Sequence, residues 1–248
     1  MTLVRYQQIA AWPVTVAACL SVAGSLQAQN ADDRIAKIEA LESRLASLRH
    51  RVELLEDTKA IKRLQRAYGY YLDKRLSGEL AKLFADDPTT SVEYGNAGVY
   101  VGKERIAAYL QRLIGTGPSD GELFNHMILQ GVVHVAPDGM TAKGRWRALI
   151  QVGELGESAA WAEGPYENEY VKEDGVWKFH RIHWYQTMAA PYAPGWHKVQ
   201  TPMMGIDDDF PPDLPPTVDY ESYPGAYLPP YHYANPVSGR CEKDSCDG

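Results

Sequence analysis

The sequence predicts an α+β domain in which helices gathered at the front cover one face of a curled antiparallel sheet. Three observations carry this. Apolar residues recur at helical spacing early in the chain, through Ile61, Leu64, Tyr68 and Tyr71. Four long alternating runs follow, 124–135, 141–152, 159–172 and 176–187. Asp138-Gly139, Leu155-Gly156 and Asp174-Gly175 separate these runs, and such pairs make the tight turns that join antiparallel neighbours.

The chain has 248 residues, with six Trp and sixteen Tyr, enough for one well-filled core. Residues 1–28 read as a secretory leader. Arg5 is their one charged side chain, an apolar stretch runs from Ile9 to Leu20, and small residues lead to Ala28. Val16-Ala17-Ala18-Cys19 offers a second reading, a lipoprotein site that would put lipid on Cys19 and tether the protein to a membrane. The first reading is preferred, because Pro13 interrupts a short apolar run. The expected location is therefore outside the cytoplasm, in a periplasm. Loss of Arg5 leaves 24 basic and 32 acidic residues, a net charge of −8, which argues against a nucleic-acid partner. In an oxidising compartment Cys241 and Cys246 are expected to pair and staple the C-terminal end.

Ile38, Leu41, Leu45, Leu48, Val52 and Leu55 alternate spacings of three and four, an a/d stripe over residues 31–57. Such a stripe either docks a helix on its own domain or joins copies of the chain into a homo-oligomer. The phase slips at Glu56-Asp57-Thr58, read as a break with Asp57 or Thr58 as an N-cap, so the domain is placed at 58–188. A helix over 78–84, strands at 90–94 and 99–101, and a helix over 103–114 follow. Beyond residue 189 the chain turns proline-rich, with eleven of its sixteen prolines and six tyrosines after Ala190. Proline forbids helix and central strand, so an extended segment is expected. Its aromatic content predicts that it packs on its own domain or on a neighbour.

Strand alternation places Trp177, Phe179, Arg181, His183 and Tyr185 on one face, with His183 and Tyr185 near the cavity mouth, and points Trp146 inward. A bulge would reverse these assignments. His180 and His183, three apart on a strand, face opposite ways and do not share a metal. The sequence has no phosphate-cradling glycine loop, nucleophile elbow or nicotinamide fingerprint.

Four segments, Ile61-Lys62-Arg63-Leu64 onward, Leu83-Phe84-Ala85-Asp86-Asp87, Gly102-Lys103-Glu104-Arg105-Ile106 and Asp174-Gly175-Val176-Trp177-Lys178-Phe179, resemble in their order the SnoaL-like branch of the nuclear transport factor 2-like superfamily. The resemblance implies a cone-shaped fold with a pocket for a small apolar or aromatic molecule. It also implies acid/base chemistry by a pocket Asp and His with no cofactor, as in SnoaL-like cyclases and scytalone dehydratase. The matching positions are Asp73 and His126, with Asp73 holding one imidazole nitrogen and the other moving a proton. Tyr70 and Tyr71 are expected to add hydroxyl donors. One departure is plain: the dehydratase carries a second pocket His on the following strand, where this chain has Leu149-Ile150-Gln151. Two functions stay open, a cofactor-free lyase, isomerase or cyclase and a non-catalytic ligand-binding or assembly protein.

Overall fold

A computed structural model describes residues 14–242 and Cys246, with side chains from Asn30 onward. Residues 1–13 of the expected leader and the side chain of Cys19 lie outside the described residues. Two compact units divide at Val52/Glu53. No helix among the described residues is long and apolar enough to cross a membrane.

Helix α1 (Val14–Asp73) runs unbroken through the point where a break was expected. Two side chains explain why Asp57 and Thr58 do not cap it. Thr58 Oγ1 donates to the Leu54 carbonyl at 2.9 Å, which satisfies the hydroxyl inside the helix. Asp57 instead accepts from Lys172 Nζ and Trp177 Nε1, each at 2.8 Å, and so ties the helix to the sheet. Ile61, Gln65, Tyr68 and Leu72 are buried along one stripe of α1 at spacings of four, three and four.

Short helix α2 (Ser77–Ala81) leads to β1 (Ser91–Tyr94), β2 (Val99–Val101) and α3 (Lys103–Ile114). The expected helix over 78–84 is shorter because the chain turns at Lys82 so that Phe84 bridges to Phe179. Strands β3 (Glu122–Val135), β4 (Thr141–Glu154), β5 (Ser158–Glu173) and β6 (Val176–Trp184) follow as antiparallel neighbours. The sheet order is β2-β1-β6-β5-β4-β3, with β1 parallel to β6. The sheet is curved and unclosed.

Two features were not anticipated. β6 stops at Trp184, and the chain returns as β7 (Met188–Pro191), which pairs with the free first half of β5. Residues 189–191, expected in the extended tail, thus belong to the sheet. β6 also carries one extra residue, since Tyr170 pairs with Phe179 while Glu169 pairs with Arg181. That bulge flips the alternation. Trp177 and Phe179 reach α1, through Asp57 and Tyr68, and beyond the bulge Ile182 and Trp184 take over that face. Arg181, His183 and Tyr185 turn to the opposite face.

The tail packs on its own domain. Val99 exchanges two backbone hydrogen bonds with Leu214, and Glu93 accepts from the Thr217 backbone N–H and hydroxyl, both at 2.8 Å. Arg105 lies 3.8 Å over the Phe210 ring and Arg145 lies 3.9 Å over that of Tyr231. Tyr220 is buried and stacks on Tyr227 at 4.4 Å. A disulfide joins Cys241 to Cys246.

Candidate functional site

Between α1, α3 and the sheet lies a cavity of about 250 Å³. Its wall is largely apolar, with Leu72, Phe124, Ile150, Ala162 and Trp184 contributing. Its polar side chains include His126 on β3, Tyr166 on β5, Tyr68 on α1, Tyr94 on β1 and Gln186 just past β6, whose Nε2 is buried without a hydrogen-bond partner. Thr201, Pro202 and Met204 from the tail complete the lining.

His126 is 6% exposed. Its Nε2 is 2.9 Å from the Tyr166 hydroxyl, and its Nδ1 is buried with no hydrogen-bond partner. Whichever of the two groups donates, Nδ1 is left with its capacity unused. Burial pushes the imidazole down to about 3, so the ring is neutral at ordinary pH. The Tyr68 and Tyr94 hydroxyls are 2.5 Å apart, and Tyr68 sits edge-on to both His126 and Tyr166. Burial raises all three tyrosines well above their ordinary value, so each keeps its proton.

Asp73 and His126 are brought together, but not as expected. The Asp73 Oδ1 accepts the backbone N–H of His126 at 2.6 Å; the imidazole bonds to Tyr166 instead. The expected carboxylate–imidazole contact is therefore corrected to a carboxylate–backbone contact. Its physical reason is position. Asp73 ends α1, where a carboxylate faces the negative end of the helix dipole, and a charge-assisted bond from the neighbouring strand offsets that. Asp73 thus fixes where β3 presents His126, without touching its ring.

The other expected residues fall elsewhere. Tyr70 is 72% exposed on α1, away from the cavity. Tyr71 is half-buried against the core and does not line it. Trp146 points inward as expected, yet it packs over Gly131 and donates to the Tyr170 hydroxyl at 2.8 Å, making it core. His183 and Tyr185 stack at 3.8 Å on the opposite face because of the β6 bulge. They line a second cavity of about 180 Å³ with Glu167, Arg181, Tyr231 and His232. His183 is buried and pushed down to about 3, and the Glu93 carboxylate 3.4 Å from it is engaged by Thr217.

Tyr166, Tyr68 and Tyr94 were missed as site residues. Tyr166 had a readable signal, since Ala162, Gly164, Tyr166, Asn168 and Tyr170 share one parity in an uninterrupted strand. Nothing local in the sequence marks the contribution of Met204. Among the described residues no group of three His, Cys, Asp or Glu is placed to hold a metal ion.

The pattern that defines the SnoaL-like domain matches residues 53–183. Among solved structures, LinA is similar at TM-score 0.50 and 20% identity over 58% of this chain and 95% of LinA. A Novosphingobium aromaticivorans protein provisionally named a scytalone dehydratase gives TM-score 0.49 and 25% identity over 63% of this chain and 96% of that one. Hexachlorocyclohexane dehydrochlorinase LinA-type3 from Novosphingobium barchaimii gives 0.49 and 23% over 57% and 94%. No functionally curated protein matches the chain.

Proposed function

The chain belongs to the SnoaL-like domain family, and from that premise we propose that its cavity takes a small, largely apolar cyclic molecule on which His126 moves a proton without a cofactor. The observation that carries this reading is a buried, neutral imidazole whose Nδ1 has no partner, beside a largely apolar cavity. The volume lies just below the usual range of ligand pockets, which suits one or two rings.

In this mechanism Nδ1 accepts a proton from a carbon beside a carbonyl. The C–H bonding pair passes into the carbonyl as an enolate. A tyrosine hydroxyl of the Tyr68–Tyr94 pair donates to the enolate oxygen as charge develops. In this step Nε2–H donates to the Tyr166 hydroxyl, which fixes the ring's orientation and leaves Nδ1 as the unprotonated nitrogen. The imidazolium and the enolate balance each other's charge in a dry site. Return of the proton to another carbon completes an isomerisation. Alternatively the enolate pair re-forms the carbonyl and a C=C bond as a β leaving group departs with its bonding pair and takes the imidazolium proton, completing an elimination. A second reading, a binding or assembly pocket without turnover, is favoured by one observation. Asp73 is engaged with the backbone, so the ring lacks the carboxylate contact that raises a histidine's basicity.

A panel of one- and two-ring ketones and phenols, screened by thermal shift, tests the reading. Binders are expected to exchange C–H for deuterium in D₂O, with the rate falling at least ~100-fold in His126→Gln. Binding without exchange supports the second reading, and exchange untouched by His126→Gln dismisses the histidine. We also place the mature protein outside the cytoplasm, a location supported by the leader pattern and by the Cys241–Cys246 disulfide. Mass analysis of the protein recovered from its native cells is expected to find a chain starting at Gln29; retention of Met1 would contradict export by cleavage.

A further inference from the structure

We infer that the chain pairs with a second copy of itself through α1 between residues 37 and 56, as a parallel, in-register two-stranded coiled coil. The stripe Ile38, Leu41, Leu45, Leu48, Val52 and Leu55 lies on one continuous helix, and each of these side chains is about half exposed. Six aliphatic residues at alternating spacings of three and four form an a/d seam, which water alone does not explain. The heptad assignment then follows, with Ile38, Leu45 and Val52 at a and Leu41, Leu48 and Leu55 at d.

Number and direction of strands come from the neighbouring positions. Two of the three a residues are β-branched and every d residue is Leu, the combination that favours two parallel strands. The g positions are Lys37, Arg44 and Arg51, and the e positions five residues on are Glu42, Arg49 and Glu56. A parallel pair sets each g residue against the e residue of the next heptad on the other helix. Lys37 meets Glu42 and Arg51 meets Glu56; Arg44 with Arg49 is the one like-charged pair. An antiparallel pair would align the all-basic g row with itself, Lys37 against Arg51 and Arg44 against Arg44. Charge complementarity therefore selects the parallel arrangement, and the occupant of the seam is a second copy.

Sedimentation equilibrium of the purified chain at micromolar concentration tests this. The expected mass is that of two chains, falling to that of one in Leu45→Glu/Leu48→Glu. Circular dichroism is expected to be unchanged in that variant, because both sites are exposed. Should its helicity drop, Lys37→Glu/Arg51→Glu provides the second arm, with dissociation expected to strengthen several-fold at low salt. Direction is read by Leu41→Cys, which in a parallel in-register pair faces itself and cross-links on oxidation, unlike the unsubstituted chain. A one-chain or three-chain mass for the unsubstituted protein, a two-chain mass surviving Leu45→Glu/Leu48→Glu, tighter pairing in Lys37→Glu/Arg51→Glu, or no cross-link through Leu41→Cys would overturn the inference.

Discussion

A chain ending at Pro191 is expected to lose more than about 5 kcal/mol of stability, a loss comparable with the whole stability of many domains. The tail is extended, yet it closes several gaps at once. It covers the β1–β2 edge through Val99 and Leu214, so truncation leaves those backbone groups to water. It removes both donors to Glu93, a carboxylate that is 1% exposed and that burial pushes upward. It strips Phe210 from Arg105 and Tyr231 from Arg145, and uncovers Tyr185. It also removes Thr201, Pro202 and Met204 from the cavity wall. Urea denaturation of the full and truncated chains reads the difference. A midpoint unchanged by truncation would mean that the tail only rests on the domain.

The second large effect is an acid sensitivity that originates in the cavity. Burial holds His126 at about 3 in the folded chain, while a histidine in the unfolded chain titrates near 6.5. Between those values the unfolded state binds a proton that the folded state refuses. The stability contributed by a neutral His126 is therefore intact above about pH 6.5 and is lost as pH falls toward 3. The slope approaches about 1.4 kcal/mol per pH unit, or roughly 2 kcal/mol between pH 7 and pH 5. His183 adds in the same direction, and Glu93, raised by burial, opposes it. The difference between the chain and His126→Phe isolates the cavity histidine. His126→Phe is expected to flatten the stability curve by roughly 2 kcal/mol over that interval, measured by denaturation at a series of pH values. Parallel curves for the two proteins would show that the ring is not buried neutral.

Much of the architecture was readable in the sequence, because the signals there are local. Strand ends followed their Asp-Gly turns, Lys103–Ile114 formed the helix expected of it, and the stripe from Ile61 to Leu72 turned toward the sheet. What escaped was set by long-range pairing. The extra residue in β6 arises where β5 and β6 change register, and one such residue moved His183 and Tyr185 to the other face. The unbroken α1 depended on Asp57 finding Lys172 and Trp177, more than a hundred residues away. The site divided the same way. The family resemblance paired Asp73 with His126, but side chain against backbone rather than side chain against side chain is decided by atoms, which a sequence does not place. Tyr166 took the role given to Asp73 because it sits two strands away on the same face of the sheet.

His126 is an uncharged ring bonded through Nε2 to Tyr166, with Nδ1 buried and unpartnered. The ¹⁵N shifts of its imidazole, followed by NMR from pH 8 to pH 4 in the absence of ligand, test this directly. The prediction is a neutral pattern throughout, altered by Tyr166→Phe and barely moved by Asp73→Asn. A ring that gains a proton with a midpoint above pH 6, or whose protonation responds to Asp73→Asn and not to Tyr166→Phe, would contradict it.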